Sequence, residues 1–129
     1  GQMGGWTGIV TGNTFYGMLK RQDGGSGNTL ISYVQTDTGT HQTAGTTSIL
    51  ANQWYHAATT YSADTIRIYV NGQLEKSKGI SGNIANGTHL YIGRHRNDTE
   101  SFDGLIDEVR VYNRSLGADE INALYRQGI

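Results

Sequence analysis

The stretch Thr65-Ile66-Arg67-Ile68-Tyr69-Val70-Asn71-Gly72-Gln73-Leu74 constrains this chain more than any other. Ile66, Ile68 and Val70 alternate with Arg67 and Tyr69, a period of two that places every second side chain on one face of a strand. Asn71-Gly72 follows, two adjacent residues that tolerate positive φ, as a type I′ turn demands. A hairpin is expected here, and it commits its neighbours to antiparallel sheet.

Other segments obey the same period. Residues 8–11 and 15–20 are expected to pair around Gly12-Asn13. Over 29–36, Leu30, Ser32 and Val34 alternate with Ile31 and Tyr33. Residues 54–61 are apolar or small on both faces, which predicts a central strand covered on both sides. Residues 89–93 and 105–112 complete the set. In the last of these, Ile106 and Val109 stand three apart with Asp107-Glu108 between them, so a bulge at the acidic pair is expected. Ile121, Leu124 and Tyr125 have helical spacing, with Asp119 and Glu120 in the first turn and Gly128 placed to end the helix. So short a helix must dock on other structure to persist. The chain holds 19 glycines, dispersed, and no proline, which suits short strands joined by tight turns. The fold class predicted is all-β: one antiparallel two-sheet β-sandwich over residues 1–129, with one short C-terminal helix. Gly1-Gln2-Met3 has the form of a tag remnant before an initiator methionine.

Composition removes several functions. Ten Lys and Arg stand against eleven Asp and Glu, so no basic footprint for nucleic acid or an anionic membrane is expected. Without cysteine, neither a disulfide framework nor a cysteine zinc site can form. No apolar run reaches the length of a membrane span, and no signal segment opens the chain. Phosphate-cradling, metalloprotease and nucleophile-elbow motifs are absent.

Three stretches in series carry a resemblance: Gln53-Trp54-Tyr55-His56-Ala57-Ala58-Thr59-Thr60-Tyr61; Ile66 to Leu74 of the hairpin; and Phe102-Asp103-Gly104-Leu105-Ile106-Asp107-Glu108-Val109-Arg110-Val111-Tyr112, continuing through Asn113-Arg114-Ser115-Leu116 to the helix. In order and spacing they resemble the laminin-G-like branch of the concanavalin A-like lectin/glucanase jelly rolls. The resemblance implies a non-catalytic recognition module that binds carbohydrate or an extracellular protein through loops at the sandwich rim, secreted or at a cell surface. Family members usually begin with two further strands, so this chain resembles a short form. A sandwich with an unpaired edge invites association, and a homo-oligomer is expected.

Candidate site residues follow. The loop Gly93-Arg94-His95-Arg96-Asn97-Asp98-Thr99-Glu100 is dense in polar side chains, and loops on rigid scaffolds commonly carry binding. Arg94, His95, Arg96 and Asn97 are expected ligand contacts; the arginines suit sulfated or carboxylated glycan. By analogy with the related pentraxins, Asn97, Asp98 and Glu100 offer hard oxygens for calcium, although Arg94 and Arg96 would repel a cation and an ordinary solvated loop competes with this reading. Trp6, on no clear strand face, is the candidate exposed aromatic. His56 reads as a packed, hydrogen-bonded histidine. The Asp107-Glu108 pair could serve an alternative function, a glycan-degrading enzyme. Adjacent residues on a strand point to opposite faces, however, and glycoside hydrolysis needs two carboxylates on one cleft. The pair is therefore read as structural, and no catalytic residue is assigned. A further alternative is a self-associating scaffold without small ligand.

Overall fold

The computed structural model describes residues 5–12, 16–22, 28–62, 64–84, 90–93 and 102–128. The predicted hairpin forms. Strand β6 (Thr65–Val70) turns through Asn71 (φ 50°) and Gly72 (φ 76°) into β7 (Gln73–Gly79), with Val70 opposite Gln73. On its other side β6 pairs with β5 (Ala57–Ser62), giving a three-stranded antiparallel sheet in the order β5-β6-β7. The second sheet contains β1 (Gly5–Gly12), β2 (Tyr16–Gln22), β3 (Leu30–Thr36), β4 (Gly39–Ala44) and β8 (Tyr91–Ile92), in the order β4-β3-β2-β1-β8. The expected pairing around Gly12-Asn13 is present as β1 with β2; Asn13 itself lies outside the described residues.

The two sheets face each other with β6 over β3 and β4, and β7 over β4. Ile66, Ile68 and Val70 are buried. Ile68 and Val70 pack with Met18 and Leu30 of the larger sheet, and Ile9, Ile49, Tyr55 and Ala57 flank them. Each such aliphatic side chain removed from water contributes roughly 1.5–3 kcal/mol, so this layer holds the sheets together. Where apolar residues run out, hydroxyls continue the contact: Ser32 of β3 and Thr59 of β5 bond across the gap.

Beyond β4, polar bonds close the rim. The Thr36 hydroxyl donates to the Ser81 carbonyl (2.8 Å), and the Asp37 carboxylate accepts the Asn83 N–H (2.9 Å). Glu75 of β7 holds the loop after β4, accepting the N–H groups of Thr46 (2.9 Å) and Thr47 (3.0 Å) and the Thr47 hydroxyl. Burial pushes its carboxyl up from 4.5, but the bonds from Thr47 and Thr46 pull it further the other way, and the net shift is downward.

Helix α1 (Ala118–Gln127) docks as expected: Ile121 is fully buried, and Leu124 and Tyr125 are half-buried. Its N-terminus is capped by Glu120, which accepts the Gly117 N–H at 3.1 Å. The Arg114 guanidinium forks onto the same carboxylate at 3.0 and 2.5 Å. These bonds, Arg114 first and Gly117 second, lower the Glu120 pKa to about 2. Gly128 ends the helix through its N–H to the Tyr125 carbonyl (3.2 Å).

Three sequence expectations are corrected. Residues 54–61 do not form a central strand; the strand begins at Ala57 and, among the described residues, lies at the sheet edge, and Trp54 is 65% exposed. The strand covered on both faces is β3, where Leu30 faces the opposite sheet while Ile31 and Tyr33 are buried on the other face. There Tyr33 lies over Gly17, where a Cβ would stand 2.5 Å from the Val10 carbonyl oxygen and 3.0 Å from the tyrosine ring. Residues 105–112 form no strand and hence no bulged ladder among the described residues, and Glu108 breaks the extended backbone with φ 50°. Within 89–93, only Tyr91 and Ile92 are in strand, and His89 lies outside the described residues. Strand β4 and most of β7 were missed, since neither carries apolar alternation.

Gly72 links the hairpin to the helix. Its φ is left-handed, and an added Cβ would stand 2.8 Å from Asn122 Nδ2 and 2.9 Å from Tyr125 Cδ2. Gly72→Ala is expected to cost about 1–2 kcal/mol from backbone strain alone. Displacement of α1 adds to this. Urea unfolding should show a lower midpoint.

Candidate functional site

The β5–β6 register determines which side chains look outward. Ala57 and Tyr55 pack on the core and Thr59 bonds across to Ser32, so odd residues of this edge point inward. Within β5, the even residues Ala58 and Thr60 therefore point to the outer face of the three-stranded sheet. Thr59 points inward and is still exposed, because the space between the sheets is open along the β5 edge. The larger sheet reaches past that edge: Ile92, opposite Val10, is 54% exposed.

His56 is fixed by the hairpin turn. Its N–H donates to Asn71 Oδ1 (2.9 Å), and its carbonyl accepts the Asn71 N–H (2.7 Å). Asn71 thus serves the turn through its φ and His56 through its side chain. The imidazole leans on Tyr125 of α1, ring centroids 5.9 Å apart at 52°. Its Nδ1 is buried, with no hydrogen-bond partner among the described residues. Burial, and then the positive charge of Arg110, lower the His56 pKa below 6.5; Glu108 opposes them. Burial and Arg110 thus favour the neutral ring. It is packed, as the sequence reading expects, but only its backbone is hydrogen-bonded.

Asp107 and Glu108 each have a local task. Asp107 Oδ1 accepts the Glu108 N–H at 2.8 Å. Glu108 lies 4.0 Å from Arg110, both half or more exposed, a spacing at which an ion pair contributes little. The left-handed φ of Glu108 costs on the order of 1 kcal/mol. A shallow concavity of about 250 Å³ lies between α1 and the chain before it, lined by Tyr112, Arg114, Leu116, Glu120, Ala123 and Leu124. Glu120 is its one carboxylate, and it is held by Arg114 and Gly117.

The sequence-chosen loop is a different matter. Arg94, His95, Arg96, Asn97, Asp98 and Glu100 lie outside the described residues. Trp6 belongs to β1, opposite Arg21, and so does sit on a strand; its side chain is outside the described set. Among the described residues, no three His, Asp or Glu converge as metal ligands. Trp54 and Tyr125 were legible as aromatics, but their side of the fold depends on β5 being an edge.

A family model for the concanavalin A-like lectin/glucanases superfamily matches residues 2–122. The chain belongs to that superfamily. Its laminin-G-type membership agrees with the two antiparallel sheets and the short C-terminal helix. No curated protein matches this lectin/glucanase-type chain. Among solved structures, it is similar to the binding domain of Paraclostridial Mosquitocidal Protein 1, with TM-score 0.67 and 17% identity over 98% of this chain and 32% of that one. It is also similar to residues 221–444 of an S-layer domain-containing protein from Clostridium thermocellum, with TM-score 0.52 and 22% identity over 94% of this chain and 63% of that one. The chain thus spans less than two thirds of either protein's length. At these identities the likeness is one of fold.

The His56 environment generates a pH prediction. A histidine whose folded pKa is lowered leaves the unfolded state binding more protons as pH falls below 6.5, so its burial weakens the fold in that direction. His56→Phe removes the group, and thermal melts should show a smaller loss of Tm on acidification from pH 7 to 5 than in the parent.

Proposed function

We propose that this domain is a non-catalytic recognition module whose ligand is carbohydrate, working at a cell surface or outside the cell. Trp54 carries the reading. An indole 65% exposed in the segment just before β5 presents an apolar face and an N–H donor, the combination that suits an amphipathic ligand. Its neighbour His56 is held by Asn71 and Tyr125, so the patch is built on fixed backbone. Superfamily membership and the binding-domain neighbour support the same class of activity.

The carboxylates favour recognition over hydrolysis. Asp37, Glu75, Asp107 and Glu120 each accept local backbone N–H groups, and Glu108 lies beside Arg110. The calcium reading, with Asn97, Asp98 and Glu100 as ligands, stays with this proposal as a rim cation.

Binding to an immobilised glycan library, followed by calorimetry on any hit, tests the reading. Trp54→Ala is expected to weaken binding by at least about tenfold, a loss near 1.4 kcal/mol, with an unchanged circular dichroism spectrum. Titrations in calcium and in chelator separate a metal-dependent rim from a metal-free patch. Unaltered affinity in Trp54→Ala would remove the indole from the site, and cleavage of a glycan would overturn the non-catalytic reading.

A further inference from the structure

From Thr38 to Ala63 the chain contains no Asp, Glu, Lys or Arg, although charged residues make up 16% of the whole. Within this tract the loop Leu50-Ala51-Asn52-Gln53-Trp54 is exposed at every residue. Leu50, 55% exposed, and Trp54 bracket the amide side chains of Asn52 and Gln53. The loop is held from behind. Its two flanks, Ile49 and Tyr55, pack against the core layer, and the Ile49 N–H donates to the Asn28 carbonyl (2.7 Å). The Tyr55 hydroxyl accepts the Leu50 N–H (3.0 Å) and donates to Gln53 Oε1 (3.2 Å). Asn52 turns the tip with a left-handed φ of 62°, a conformation that asparagine adopts more readily than most residues. Uncharged side chains thus stand in water on a braced backbone.

We propose that this loop selects an uncharged oligosaccharide. The inference rests on the saccharide reading of Trp54 and narrows it. Sugar hydroxyls both donate and accept hydrogen bonds, and so do the amides of Asn52 and Gln53. The indole and Leu50 offer apolar surface to the C–H face of a pyranose ring. A sulfate or carboxylate is recognised by guanidinium or ammonium groups, and the loop has neither. Stripping water from such an anion without a counter-charge opposes binding. The carboxylate that does reach this tract, Glu75, is taken up by Thr46 and Thr47. The expectation of a sulfated or carboxylated glycan attaches to Arg94 and Arg96, on a separate loop. A bilayer is a poorer match. Seating Leu50 and Trp54 in hydrocarbon would carry the Asn52 and Gln53 amides in with them, and the loop has no basic side chain to attract anionic headgroups. The bracing by Tyr55 favours recognition, because a backbone already ordered loses little freedom when a ligand binds.

Calorimetry with three kinds of probe tests it: neutral hexasaccharides of cellulose, xylan and mannan; charged hexasaccharides of chondroitin sulfate and polygalacturonate; and phosphatidylcholine vesicles. A neutral hexasaccharide should bind, with an affinity that changes less than about twofold between about 0.05 and about 0.5 M salt. Asn52→Gly keeps the left-handed turn and removes the amide; Leu50→Ser removes the apolar flank. Each should weaken the neutral hexasaccharide at least about fivefold, with an unchanged circular dichroism spectrum. Binding of charged hexasaccharides alone, dependent on Trp54 and weakening with salt, overturns the uncharged class and leaves the carbohydrate reading standing. Failure of every hexasaccharide overturns both, and so does Trp54-dependent binding to the vesicles in place of sugars. A neutral hexasaccharide held with full affinity by both Asn52→Gly and Leu50→Ser overturns the assignment to this loop.

Discussion

Everything in this fold depends on covering the apolar face of β6. Ile66, Ile68 and Val70 form a continuous row, and only the larger sheet offers a surface to receive it, with Leu30 and Met18 at the centre of contact. Once that layer closes, the hairpin turn at Asn71-Gly72 has a fixed position. The turn in turn holds His56 through Asn71 and supports α1 through Gly72. One hydrophobic contact thus fixes the sandwich, the helix and the aromatic patch.

The second constraint is numerical. Among the described residues five strands face three, and the packing of β6 on β3 and β4 puts the shortfall on the β5 side. There the inter-sheet space is open: inward-pointing Thr59 is exposed, and so is Ile92 on the overhanging sheet. The exposed indole just before β5 adjoins that side.

Sequence reading succeeded where the determinant was local. Asn71-Gly72 specifies its turn through two φ values, and Ile121, Leu124 and Tyr125 specify a docked helix through their spacing. It failed where the determinant was a neighbour. The alternation over 29–36 did not reveal that both faces of β3 are buried, which is possible because the Ser32 and Thr36 hydroxyls find partners in Thr59 and Ser81. Small residues in 54–61 suggested double coverage, whereas at an edge Ala57 and Ala58 need little. The strand pattern of 105–112 reports local preference truly; pairing needs a second strand, which no local pattern supplies. The same logic divides the site. His56 was legible as packed and Asp107-Glu108 as structural, while the prominence of Trp54 emerges only from strand order.

The central claim is that β5 is an edge. Native-state amide exchange read residue by residue tests it most directly, because an antiparallel edge strand donates only alternate N–H groups to its one neighbour. The account predicts protected and freely exchanging amides in alternation along Ala57–Ser62, beside uniform protection across Leu30–Val34 of β3. Uniform protection along β5 as well would mean that a further strand lies on that edge, and would contradict the account.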